Sequence, residues 1–345
     1  MKVLHLLRSD RFSGAENVVC QIIGVFRDEP NIEMVYCSPD GQIRDALTER
    51  GIKFVPLKDF SVKEVRRVIK EQKPDIIHAH DMRASFVAAR ACGKIPLVSH
   101  VHNNNFDSRG LSLKSIAYFF AAAKAKHIFW VSQSSFDGYK FHKSFKNKST
   151  VLYNIISVDA LYKKMELDGG SYDYDVVYVG RLSYQKNPQR LVRVFGKVKE
   201  RCPDVKIAVV GSGELEAEAK ALSNELNLQD NVHFLGFQSN PLKMMYDAKA
   251  MVMTSRWEGT PMCALEAMAL GLPIVSTPTD GLCELITDGE NGYLSNDDDI
   301  LAQRICEIVS DDKIRAALSQ SNKERSVKIN DTVLYKGEIL KSYEG

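Results

Sequence analysis

The chain has 345 residues, 44% hydrophobic and 26% charged, which excludes a disordered or fibrous protein and points to a soluble globular chain of about two domains. Its formal net charge of +2 argues against a nucleic-acid binder, yet that sum hides a split: residues 1–150 carry 24 Lys and Arg against 15 Asp and Glu, and residues 151–345 carry 22 against 29. Such asymmetry suggests that the two halves meet different partners. In chain order, short β-branched runs alternate with longer amphipathic stretches. Val3–Leu7 reads as a strand, Gly14–Phe26 as a helix, Ile32–Ser38 as a strand, Ile43–Arg50 as a helix, Lys53–Leu57 as a strand and Val62–Glu71 as a helix. Ile76–Ala79 and Leu97–Val101 are strands with a helix near Arg83–Cys92 between them, followed by a helix at Leu113–Lys124 and strands at His127–Val131 and Thr150–Leu152.

A polar stretch, Ser157 to Asp173, reads as a linker. The alternation then restarts: strand Val176–Val179, helix Pro188–Glu200, strand Val205–Val210, helix Glu214–Leu226, strands Val232–Leu235 and Ala250–Met253, helix Met262–Leu270, strand Ile274–Ser276 and helix Ile300–Val309. The tail from Lys313 to Tyr343 is polar and helical. Strands alternating with helices imply parallel sheets covered on both faces. The expected architecture is α/β, two doubly wound Rossmann-like domains facing across a cleft: residues 1–155, residues 156–325, and a helical tail, 326–345, able to pack back on the first domain. Ligands of such sheets bind outside the carboxyl ends of the strands.

Seven cysteines, an odd number with no C-x-x-C pair, read as reduced thiols of a cytosolic protein rather than a disulfide frame or zinc site. The N-terminal apolar run, Val3–Leu7, is shorter than a secretory signal requires. Ile116–Ala123, the longest tight apolar run, falls well below the roughly 18 residues of a membrane span. The expected location is cytoplasmic, at most peripheral on the inner face of the cell membrane.

The densest chemical constellation is Ser255–Gly271, SRWEGTPMCALEAMALG. Pro261 suits the first turn of a helix, which leaves Glu258 in the preceding loop and Glu266 one turn inside. Free amides at that helix start can hold an anion such as a diphosphate, and the helical carboxylate can accept ribose hydroxyls. The plain alternative is an acidic pair on a solvated helix. A second cluster, Gly180-Arg181-Leu182-Ser183-Tyr184-Gln185-Lys186-Asn187-Pro188, lies between a strand and a helix. Arg181 and Lys186 there are two fixed cations suited to a leaving diphosphate, against the alternative of a solvated basic loop. Ser13-Gly14-Ala15-Glu16 places a glycine after the first strand, where backbone can approach a phosphate. No G-x-G-x-x-G or G-x-x-x-x-G-K-[ST] loop is present, which argues against a dehydrogenase.

His78-Ala79-His80 and His100-Val101-His102 both end strands. His78, His80 and His100 read as packed residues, while His102, last on its strand before Asn103-Asn104-Asn105, is a candidate site residue. No metal site is expected from these histidines, nor from Asp173-Tyr174-Asp175, which leads into a strand. Asp297-Asp298-Asp299 reads as an acidic helix start.

Taken in order, these motifs resemble the family 4 retaining glycosyltransferases of GT-B fold, from Val3 to about Ile308. The resemblance rests on the E-x7-E pair Glu258 and Glu266, the loop Gly180-Arg181 with Lys186, Ser13-Gly14-Ala15-Glu16, His78-Ala79-His80 and His102. It implies that the second domain binds a nucleotide-sugar donor and the first a glycan or lipid-linked acceptor, with UDP-sugar favoured. Arg181 and Lys186 would hold the diphosphate, Glu266 the ribose and Glu258 the transferred sugar. Gly14 would approach the diphosphate and His102 the sugar, while Pro261, Met262, Cys263 and Leu265 would complete the pocket. The implied reaction retains anomeric configuration, needs no metal or cofactor, and serves surface or capsular polysaccharide synthesis. A nucleotide-sugar epimerase of the same architecture, or a non-catalytic nucleotide-sugar-binding protein, is the competing reading. Residues 109–148 carry eight Lys and Arg against Asp137 alone. That segment suits an anionic membrane surface, although a core-facing helix at Ile116–Ala123 with solvated lysines around it is the favoured expectation.

Overall fold

The computed structural model describes residues 1–102 and 108–344, which divide into two compact units, Met1–Ile155 with Asp331–Gly345, and Ile156–Asn330. Asn103-Asn104-Asn105 lie outside the described residues.

The first unit is built on β1 (Lys2–Leu6), β2 (Glu33–Pro39), β3 (Phe54–Leu57), β4 (Ile76–His80), β5 (Leu97–Val101), β6 (His127–Trp130) and β7 (Ser149–Val151). They form one parallel sheet in the order β3-β2-β1-β4-β5-β6-β7. Crossover helices cover both faces, so β4 and β5 are buried along their whole length. The chain reverses its direction of winding between β1 and β4, which opens a crevice at their carboxyl ends. The second unit repeats the plan with β8 (Val176–Val179), β9 (Ile207–Val210), β10 (Val232–Gly236), β11 (Ala250–Met253), β12 (Ile274–Ser276) and β13 (Gly292–Leu294). Their order is β10-β9-β8-β11-β12-β13, again all parallel, with the reversal between β8 and β11.

Three regions differ from the sequence expectation. The stretch read as a linker contains the helix Val158–Glu166, capped by the Ser157 side chain and anchored by buried Leu161 and Met165. The tail is two helices, Asp312–Ile329 and Thr332–Glu344, broken at Asn330-Asp331. The first packs within the second unit, where Asn322 meets Asn291 and the Leu272 carbonyl. The second belongs to the first unit: Tyr335, Ile339 and Tyr343, spaced four apart, are its buried stripe, and Lys336 pairs with Glu29.

The helix Leu113–Lys124 departs from a purely core-facing one. Tyr118, Ala121 and Ala122 point inward, but Leu113 is 87% and Phe120 65% exposed, and Leu111 and Ile116 are exposed beside them. No helix among the described residues is long and apolar enough to cross a membrane.

Candidate active site

In the second unit, the loop after β8 runs from Gly180 to Asn187 and enters the helix Pro188–Arg201. Pro188 presets the first helical turn, and Asn187 before it takes a left-handed conformation, φ +55°. The loop after β11 lies alongside. The Arg256 amide donates to the Gln185 carbonyl at 2.8 Å. The Arg256 guanidinium donates to Asn187 Oδ1 at 3.0 Å and to the Tyr184 carbonyl at 3.1 Å, and it stacks 4.4 Å over the Tyr184 ring. The two loops at the β8/β11 reversal are thereby fixed to each other.

Between them sits an ion pair of the buried Glu258 with the largely covered Lys186, Nζ 2.6 Å from Oε1. Ser255 Oγ donates to the same oxygen at 2.5 Å, and Gln185 Nε2 donates to the Trp257 carbonyl at 3.0 Å and reaches Glu258 Oε2 at 3.4 Å. Burial alone would lower the Lys186 pKa, but the Glu258 carboxylate outweighs it and holds the ammonium charged, above its usual range. Arg181 stands exposed on the same loop with its carbonyl held by the Tyr178 hydroxyl at 2.9 Å.

Pro261 caps the helix Met262–Leu270, whose first internal bonds run from the Ala264 and Leu265 amides to the Pro261 carbonyl. The amides of Met262 and Cys263 thus face out of the helix start. Burial pushes the Cys263 thiol up to about 12, and Lys186, Glu258 and Glu266 all act on it electrostatically. Half-buried Glu266 accepts no hydrogen bond from the described residues, and burial raises its carboxyl to about 7. Met262 and Leu265 are buried, so they shape this region by packing.

Two glycines permit the close approach of these loops. A Cβ on Gly281 would lie 1.2 Å from the Gly259 carbonyl oxygen, so the segment after β12 abuts the Glu258 loop backbone to backbone. Gly211, at φ +134°, would place a Cβ 1.9 Å from the Gly180 carbonyl oxygen.

Gly14 and His102 stand in the first unit, at the carboxyl ends of β1 and β5. Ser13 precedes the helix Gly14–Val25 in extended conformation, and its Oγ donates to Glu16 Oε2 at 2.5 Å. A Cβ on Gly14 would meet nothing within 4 Å, so the protein's own packing does not demand glycine there. The His102 amide donates to Asp81 Oδ1 at 3.1 Å. Asp81 holds φ +70°, and burial, with Glu16 nearby, lifts its carboxyl to about 6. His102 belongs to a cluster of five buried histidines with His5, His78, His80 and His100. Burial drives all five below the ordinary range, His5 and His102 to about 3. Asp173 and Asp175 are spent on Lys206 and Lys249, and Asp297 caps the helix Asp298–Ser310.

Sequence reasoning missed Ser255, Gln185 and Asp81 as supports of the site residues, and His5 as part of the histidine cluster. Both lay inside motifs already singled out: Ser255, three residues before Glu258, was open to a local reading, whereas the cross-loop contact of Gln185 leaves no spacing signal. His5 was legible only once β1 and β4 are known to be neighbours.

Sequence comparison places this geometry in a known class. The family profile described as "Glycosyl transferases group 1" matches residues 168–325, and "Glycosyltransferase Family 4" matches residues 12–160. The chain belongs to the family 4 glycosyltransferases of GT-B fold. It is 32% identical over 250 residues to an uncharacterised glycosyltransferase of Methanocaldococcus jannaschii, a match covering 64% of this chain and 61% of that protein. It is 26% identical to the Escherichia coli UDP-Gal:α-D-GlcNAc-diphosphoundecaprenol α-1,3-galactosyltransferase, over 95% of this chain and 92% of the relative. Among solved structures, Anabaena HepE in complex with UDP-glucose superposes with a TM-score of 0.86 at 24% identity, over 99% of both chains.

Proposed function

We propose that the protein moves a hexose-type sugar from a UDP-sugar to a hydroxyl of a glycan or lipid-linked glycan, with retention of configuration, in surface or capsular polysaccharide assembly. The observation that carries this reading is the Lys186–Glu258 pair at the β8/β11 reversal, with Arg181 open beside it. In this reading Arg181 and Lys186 neutralise the diphosphate, and the Met262 and Cys263 amides add the positive end of a helix. Glu266 accepts the ribose hydroxyls, and Pro261 and Leu265 shape the pocket wall. Glu258 meets the transferred sugar. Gly14 admits the diphosphate close to backbone, and His102 meets a sugar hydroxyl.

Negative charge grows on the leaving diphosphate and positive charge on the sugar ring as the anomeric carbon–phosphate oxygen bond breaks. Cations already fixed by the loop contacts stabilise the first charge without reorganising. The acceptor oxygen bonds to the anomeric carbon on the face being vacated, and its proton passes to a leaving phosphate oxygen. With two cations and a helix terminus for the diphosphate, transfer proceeds without a divalent metal and survives a chelator. The UDP-glucose bound by HepE and the diphosphoundecaprenol acceptor of the E. coli relative support a UDP-sugar donor and a lipid-linked acceptor here. Such an acceptor lies at a membrane. Exposed Leu111, Leu113, Ile116 and Phe120 with Lys124, Lys140, Lys143 and Lys146 supply an apolar edge and a basic surround for anionic lipid.

A thermal-shift panel of UDP-, GDP- and ADP-sugars tests the donor. A ligand at about 100 times its dissociation constant adds roughly 2.7 kcal/mol. Product analysis with a glycan acceptor then separates transfer from epimerisation and from binding alone. Silence across the panel would overturn the reading.

A further inference from the structure

Strand register lays five histidines on one face of the first unit's sheet. His5 on β1 is opposite His78 on β4, and His80 is opposite His100 on β5, with His102 two residues further on. All are buried, and the rings that follow one another along a strand, His78 with His80 and His100 with His102, stack with centroids 4.4 and 4.2 Å apart. Imidazole lone pairs lie in the ring plane, so stacked rings direct them side by side rather than onto one shared ion. The edges make a different connection. His5 Nδ1 is 3.0 Å from His80 Nε2, and His80 Nδ1 is 2.9 Å from His102 Nε2. His5 Nε2 and His102 Nδ1 are buried ends with no partner among the described residues.

A neutral imidazole has one N–H and one bare nitrogen. His80 uses both nitrogens, so it donates on one side and accepts on the other. If His80 Nδ1–H donates to His102 Nε2, then His102 carries its proton on Nδ1, and His5 must donate from Nδ1. Reversal puts every proton on Nε2 and leaves His102 Nδ1 bare. Mixed arrangements break one of the two bonds inside the core, where an unmade bond costs most.

We propose that His5 and His80 are positioning residues: with His102 they form one neutral hydrogen-bonded wire whose three rings share a tautomer, and that wire sets whether His102 Nδ1 meets the sugar hydroxyl as donor or as acceptor. The proposal rests on the reading that His102 meets the transferred sugar. The wire orients the His102 ring, and it fixes which role Nδ1 takes with no net charge in the core.

The test pairs kinetics with 15N shifts of the imidazole nitrogens in the full chain. In the unmutated protein His5, His80 and His102 should show the same tautomer, and this measurement stands even where a variant fails to fold. His5→Leu should alter the His102 nitrogen shifts and lower kcat about tenfold with donor KM nearly unchanged. His5→Asn, which keeps a polar group near the Nδ1 position, should recover most of that loss. Unlike tautomers in the three rings overturn the wire. So does a folded His5→Leu protein with unaltered His102 shifts and kcat, while His102→Ala is inactive. Full transfer by His102→Ala instead overturns the placement of His102 at the sugar, and the functional role of the wire with it.

Discussion

Acidification should unfold the first unit far sooner than the second, because five neutral imidazoles are buried together there. A histidine whose folded pKa is depressed binds fewer protons in the folded state. Its contribution is therefore intact above the unfolded value near 6.5 and lost as pH falls below it. His5 and His102 lie at about 3, and His78, His80 and His100 well below the ordinary value. From pH 7 to pH 5.5 each such group costs the folded state a little over 1 kcal/mol, roughly 6 kcal/mol for the set. The groups around them do not reverse this. Tyr343 holds His78 Nδ1 at 2.7 Å and stays neutral, and His127 is itself depressed, by burial first and Lys126 in part, with Glu338 opposing. Asp81, raised to about 6, takes up a proton in the folded state over this interval and returns roughly 1 kcal/mol. The net loss, about 5 kcal/mol, is comparable with the whole stability of an ordinary domain. The chain's two tryptophans report the units separately, Trp130 in the first and Trp257 in the second. A Trp257→Phe protein followed by Trp130 fluorescence in urea at the two pH values reads the first unit alone. Its midpoint should collapse at pH 5.5, and His100→Leu, which removes a ring with both nitrogens unpartnered among the described residues, should recover about 1 kcal/mol of the difference. A first-unit midpoint unchanged between pH 7 and pH 5.5 would refute the reasoning.

In the proposed reading the ionised Glu266 carboxylate accepts two ribose hydroxyls, and burial raises its carboxyl to about 7. Donor affinity by calorimetry should therefore rise about tenfold from pH 6 to pH 8, and Glu266→Gln should flatten that slope. Lys186→Met strands the buried Glu258 carboxylate, so the second unit should lose about 3 kcal/mol in urea melts along with most transfer. The double variant Lys186→Met with Glu258→Gln should regain much of the stability and none of the activity. Gly281→Ala forces a methyl onto the Gly259 carbonyl, and transfer assays should show a larger loss than for Gly14→Ala, which has open space around its Cβ.

The alternating pattern revealed the two parallel sheets because strands buried on both faces are mostly apolar along their length, as β9 and β11 are. The site's cations and carboxylates were legible for a related reason: a parallel strand delivers its carboxyl-end loop to one edge, so Arg181, Lys186 and Glu258 converge once β8 and β11 are neighbours. The sequence does not write that adjacency into any single segment. The Gln185–Glu258 bond depends on it, as the contact of Gly281 with Gly259 depends on the pairing of β11 with β12. The histidines make the same point more sharply. Period-two spacing already put His78 with His80 and His100 with His102 on common faces. It could not say that the two faces are one, that His5 joins them from β1, or that the Tyr343 hydroxyl would close over His78 from the far end of the chain. Helix Thr332–Glu344 is weakly amphipathic by pattern, and its buried stripe of Tyr335, Ile339 and Tyr343 becomes intelligible only against the sheet it covers. Removing the Tyr343 hydroxyl as Tyr343→Phe would leave that packing and strip the one partner of His78 Nδ1. The polar contact, not the helix, would then account for any loss of first-unit stability, which should be about 1 kcal/mol.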